Sequence, residues 1–206
     1  MKLKDFSILL ITLGLATILS SFLDFYNLLF PFAIKNANWV FEVSQRIADI
    51  IILPALGILI ILLGLNFSTL RKNKIITTGT KIILGSLCAL FFVFLSFNTV
   101  LYGISMKSVQ NNKIEALKAE SRDSKERINY VYNQNKKNIP ESEYNLAIKQ
   151  LNDNLIYQIS YLNFTHIKIN IKTLLTLFLF SFVYLIAAIK IFSFDRLFQK
   201  RRILVK

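Results

Sequence analysis

Three ionisable residues are spaced so that they could form a site. Asp24 and Asp49 fall near the same end of two neighbouring apolar stretches, and Arg46 stands about one helical turn before Asp49. Charges at membrane depth are costly and often functional, so an Asp24–Arg46–Asp49 cluster could relay protons or hold a charged substrate. The same spacing also suits a plain tie between a loop and a helix. Asn98 sits within a third apolar stretch, where an amide most readily bridges two helices. His166 is the only histidine and Cys88 the only cysteine, so neither a metal site nor a disulfide framework is expected. No Gly-rich phosphate loop and no nucleophile elbow is present. The residues point to a non-enzymatic protein without cofactor or metal.

The elements that position these residues are apolar. Of 206 residues 54% are hydrophobic, and they come in blocks. Phe6–Leu23, Ile50–Leu70, Ile82–Met106 and Thr173–Ile189 contain no Asp, Glu, Lys or Arg. A crossing needs about 20 mostly apolar residues, and its backbone is satisfied in lipid only as helix or closed barrel. Continuous apolar runs select the helix. The sequence therefore predicts an all-α polytopic membrane protein with four transmembrane helices. Residues 1–104 would hold three of them, 105–172 an extramembrane antiparallel helical hairpin, and 173–206 the fourth with a basic tail.

The net charge of +13 is distributed for a membrane, not for nucleic acid. Lys2, Lys4, the group Arg71, Lys72, Lys74 and Lys81, and six cations from Lys190 onward outnumber Lys35 and Arg46 by twelve to two. Basic short loops stay on the cytoplasmic side, while long loops count little. Both termini are expected in the cytoplasm or stroma, and the hairpin on the opposite side. Lys2 and Lys4 before an apolar run imitate a signal peptide, but the run exceeds a usual h-region, and a retained first helix is expected. The first crossing is predicted to end near Asp24, with Tyr26–Phe32, Trp39 and Phe41 lying along the outer interface as an aromatic belt. Helix two is expected from about Gln45, with a kink at Pro54. Gly57 and Gly64 share one face and predict close helix packing.

Beyond helix three, Ile114, Leu117, Ser121, Ser124, Ile128 and Val131 recur at steps of three and four. Tyr144, Ile148, Leu151, Leu155, Gln158 and Leu162 keep the same rhythm, which is the a/d seam of a coiled coil. Asn135–Pro140 interrupts it. With the turn placed at Asn138–Pro140, Val131 would oppose Ile148, Ile128 would oppose Leu151, and Ser121 with Gln158 would form a polar layer.

The succession Ser20-Ser21-Phe22-Leu23-Asp24-Phe25, Leu28-Leu29-Phe30-Pro31-Phe32, Asn38-Trp39, Gln45, Asp49, Pro54-Ala55-Leu56-Gly57 and Gly64 resembles a family. It is similar to the hormogonium polysaccharide biosynthesis protein HpsJ and its HpsJ-like relatives of cyanobacteria and plastids. The resemblance covers nearly the whole chain, with its detail in residues 20–64. It implies an accessory role in exopolysaccharide production or related envelope work, and the expectation here is a scaffold whose hairpin binds a membrane or extracytoplasmic protein complex. Eighteen Lys against seven Arg fit an AT-rich genome, so a plastid thylakoid or envelope protein serving a photosynthetic or assembly complex is the alternative. A transporter or enzyme built on Asp24, Arg46 and Asp49 is the second alternative. The expected location is a cyanobacterial plasma or thylakoid membrane, or a plastid thylakoid.

Overall fold

The computed structural model describes residues 3–67 and 74–203, and the side chains of 5–67 and 77–193. The described elements are all helices: α1 (Leu3–Leu29), α2 (Ala37–Ile50), α3 (Ile52–Phe67), α4 (Lys74–Gln134) and α5 (Glu141–Ile203). Four helical stretches, in Asp5–Leu29, Ala37–Phe67, Thr77–Gln134 and Glu141–Ser193, are long and apolar enough to cross a membrane. The chain divides into two compact units, Met1–Gly103 with Thr173–Lys206, and Ile104–Lys172. Of the basic residues that set the expected orientation, Lys2, Arg71, Lys72 and Lys206 lie outside the described residues.

In the first unit α1 stays helical past Asp24 to Leu29, five residues beyond the expected end of the crossing. Pro31 then disfavours helix at the residue before it. α2 starts at Ala37, earlier than the Gln45 expected, because Asn36 caps it: its side chain accepts from the Asn38 and Trp39 backbone N–H groups at 3.0 and 3.3 Å. A cap of this kind satisfies donors that a helix start leaves open. α2 buries Val40, Phe41, Ser44, Ile47 and Ala48 along one face. The helix breaks at Ile51, between α2 and α3. Pro54, three residues on, has no N–H for the Ile50 carbonyl and crowds it, which is the cause of the break.

α3 returns antiparallel to α1 at backbone contact. A Cβ on Gly14 would stand 2.7 Å from the Gly57 carbonyl oxygen, and one on Gly57 3.0 Å from that of Gly14. Ser7 Oγ donates to the Gly64 carbonyl at 2.9 Å at the other end of the contact. Small residues permit this approach, as Gly57 and Gly64 led one to expect. Aromatic packing adds α4 and α5: Phe25 of α1 meets Phe91 of α4 at 5.8 Å, and Phe91 stacks on Tyr184 of α5 at 5.0 Å.

The second unit pairs the distal half of α4 with the first half of α5. Ile114, Leu117, Ile128, Ile148, Leu151, Leu155 and Leu162 are part-buried along the contact. Val131 is not: it is 51% exposed, and Asn129 and Tyr132 take its place. Tyr144 Oη donates to Asn129 Oδ1 at 2.8 Å, and its ring stacks on Tyr132 at 4.3 Å. Gln158 is likewise exposed, with Ile159 turned inward. A straight α-helix has 3.6 residues per turn, so a strict 3.5 repeat drifts off the contact.

The register differs too. α4 ends at Gln134 and α5 begins at Glu141, so the turn centres two residues earlier than Asn138–Pro140. Facing numbers therefore sum to about 275, as Gln134 and Glu141 do, instead of 279. Ser124, not Ile128, stands across from Leu151, and both line a cleft of about 110 Å3 with Leu117, Ser121, Leu155 and Gln158. Serine opposite leucine leaves that space unfilled. In a Cys88→Ser background, Ser124→Cys with Leu151→Cys is expected to crosslink within one chain upon mild oxidation. Ile128→Cys with Leu151→Cys, about a turn out of register, should lag well behind. Equal yields on a denaturing gel would contradict this register.

Candidate functional site

Asp24, Arg46 and Asp49 all carry exposed side chains. The helices do not enclose them. What α2 turns inward is the neighbouring pair Ser44 and Gln45, and these meet neutral polar groups from two other helices.

Ser44 is fully buried and lies 2.9 Å from Asn98 Oδ1 of α4, while also donating to the Val40 carbonyl at 2.7 Å. One hydroxyl proton cannot serve both acceptors fully. Turning the Asn98 amide over would let its nitrogen, otherwise buried without a protein partner, donate to Ser44 while Ser44 donates to Val40. One turn along α4, the Tyr102 hydroxyl hydrogen-bonds with the side chains of Gln45 and Thr173. Its ring stacks on Phe41 of α2 at 5.3 Å and 15°. Asn98 Nδ2 and Gln45 Nε2 are buried without a protein partner. The cluster thus joins α2, α4 and α5 at the end of the unit where the chain leaves at Gly103 and returns at Thr173.

This network can do two things. It locks three helices by hydrogen bonds, each worth about 0.6–2 kcal/mol between membrane helices. It also presents amide groups able to pair with a hydroxyl or water. Asn98 was legible as an interhelical partner. Ser44, Gln45, Tyr102 and Thr173 were not, although a tyrosine hydroxyl inside an apolar block always requires a partner. That rule also locates Tyr184, whose Oη donates to the Ile51 carbonyl at 3.2 Å, beside the Pro54 break. Ser96 and Ser181 meet at 3.3 Å between α4 and α5.

In the second unit, Gln110 Nε2 donates to Asn163 Oδ1 at 2.8 Å, and Lys113 Nζ lies 3.5 Å from His166 Nε2. Burial, then the charge of Lys113, lowers the His166 pKa below its ordinary value, so the imidazole is neutral near pH 7. Here His166 acts as a hydrogen-bonding member of the helix pair. Among the described residues no group of three or more His, Cys, Asp or Glu side chains could hold a metal ion. Cys88 is buried in the first unit.

A family model described as HpsJ-like protein matches residues 5–176, which takes in the first three apolar stretches, the whole helix pair and the start of the fourth stretch. No curated protein and no solved structure matches the chain.

Proposed function

The chain belongs to the HpsJ-like protein family, and from that premise we propose that it is a non-enzymatic membrane accessory or scaffold protein that binds partners through its helix pair. The work it serves is polysaccharide production, as the resemblance to HpsJ implies. The observation that carries the reading is the make-up of the second unit. Residues 104–172 form a paired helical body whose outward face on α4 sets Asp123, Glu126, Arg127, Tyr130 and Val131 around a shallow depression. Mixed charge beside an exposed ring is the composition of a protein-binding surface, in which Tyr and Arg supply most of the energy. The exposed positions of Asp24, Arg46 and Asp49 favour this over a transporter or enzyme. In a plastid, which the Lys-rich composition suits, the same surface would serve a thylakoid or envelope complex.

A strain lacking the chain is expected to release less extracellular polysaccharide. The native chain should restore output, and a Glu126→Lys, Arg127→Glu, Tyr130→Ala variant of equal abundance should not. Full restoration by that variant would refute the binding face. No change on deletion would refute the role.

The charge distribution supports a placement of both termini on the cytoplasmic or stromal side. Protease added from that side should trim the tail from Lys200 onward and spare the turn around Lys136. Cleavage at Lys136 from the same side would reverse the assignment.

A further inference from the structure

We propose that the chain pairs with a second copy of itself through the outward face of α5 in the 104–172 unit. Toward α4, this helix turns Leu155, Ile159, Leu162, His166 and Asn170. At 100° per residue the opposite side carries Tyr157, Tyr161, Phe164, Lys168 and Ile171. The rings of Tyr157, Tyr161 and Phe164 are 69%, 62% and 70% exposed. Tyr157 and Tyr161 lie 6.4 Å apart with their planes 18° from parallel, side by side along that face.

The two faces differ in rhythm. Outward residues follow steps of four, three, four and three, the 3.5-residue repeat of a coiled-coil seam. Inward residues step four, three, four and four, the drift of a straight helix. The strict heptad therefore belongs to the side that α4 does not cover. A seam of this kind is what two parallel copies of one helix need, since each residue then meets its own counterpart about a two-fold axis.

Area and charge agree. With Ile167 and Ile171, the stripe leaves on the order of 650 Å2 of apolar-rich surface exposed, more than the ~300–600 Å2 patch usual on a monomer. Two copies would bury about 1,300 Å2, within the ~1,200–2,000 Å2 of a stable interface. No Asp, Glu, Lys or Arg occurs between Asp153 and Lys168, so the ring-bearing part of the seam carries no like charges into contact. Lys168 is the single charged seam position, a choice that fixes register at a cost in stability. A lipid surface would cover only the lower part. The polar layer extends roughly 5–8 Å beyond the hydrocarbon, whereas Tyr157 stands about 24 Å along the helix from Thr173.

The inference deepens the scaffold reading and rests on it only for the unit's lying outside the bilayer. It is tested on the full chain with Cys88→Ser, in native membranes and in detergent. Single cysteines at Tyr161 and Phe164 should give crosslinked dimers on mild oxidation, and one at the inward Leu162 should not. In light scattering, Phe164→Glu should weaken the dimer roughly tenfold or more, by burying charge in the seam. Lys168→Leu, which removes the one repulsive contact, should strengthen it by a similar factor. The Lys168 variant decides the matter if Phe164→Glu does not fold. A monomer at every concentration, equal crosslinking at 161, 162 and 164, or a dimer that Lys168→Leu leaves unchanged or weakens would overturn the proposal. Each of these is independent of polysaccharide output: a dimer in a strain whose output ignores the chain refutes the role and keeps the seam.

Discussion

Replacing Gly14 with leucine is expected to remove most of the folded chain, or to lower its melting temperature in detergent by ten degrees or more. The added Cβ would stand 2.6 Å from Ile61 Cγ1, 2.7 Å from the Gly57 carbonyl oxygen and 3.0 Å from the Ile61 amide nitrogen. The isoleucine tip can rotate away. The carbonyl and the amide cannot move without α3 moving, so the helix pair must open along its length. Overpacking in a core costs about 1–3 kcal/mol and occasionally more, and contact with backbone places this case at the upper end. The loss matters doubly in a bilayer, where helices associate through close packing and lipid tails replace any apolar contact that opens. Gly79→Leu supplies the control. Nothing lies within 4 Å of a Cβ there, so the change should be neutral or slightly favourable, since glycine is a poor helix former. Similar melting of the two variants would show that α1 and α3 do not meet at Gly14.

That contact shows how far the sequence could be read. Gly57 and Gly64 stand out because they share a face within an apolar block. Gly14 does not, because its partner lies on another helix and only the antiparallel pairing sets it against Gly57. The four apolar stretches were legible for a simple reason: each must satisfy its own backbone in lipid, so length and apolarity suffice. The helix pair was legible in its seam and not in its register. Asn135 accounts for the difference. Its side chain donates back to the Val131 carbonyl at 3.1 Å where α4 ends at Gln134, ahead of the Asn138–Pro140 position expected for the turn. The shift of about four in paired residue numbers that follows, together with helical drift, is what leaves Val131 exposed. The charged trio drew attention because charge is conspicuous, whereas the buried network of Ser44, Gln45, Asn98, Tyr102 and Thr173 uses neutral groups from three helices. No spacing within one helix could announce it.

Tyr184 should be the most costly aromatic to truncate. It is 1% exposed, its ring stacks on Phe91 with centroids 5.0 Å apart, and Phe91 in turn packs against Phe25 at 5.8 Å and Phe22 at 6.0 Å. Tyr184→Ala would leave a cavity where α1, α4 and α5 converge, at a cost of about 3–5 kcal/mol. Tyr184→Phe keeps the ring and removes only the bond to the Ile51 carbonyl, so it should cost about 0.5–1.5 kcal/mol. The two substitutions thus separate the ring from the hydroxyl, and detergent unfolding of both variants measures each. A Tyr184→Phe penalty well above its range would mean that the hydroxyl does more than bond the Ile51 carbonyl, and a Tyr184→Ala penalty no larger than that of Tyr184→Phe would mean that the ring is not the hinge of the aromatic packing.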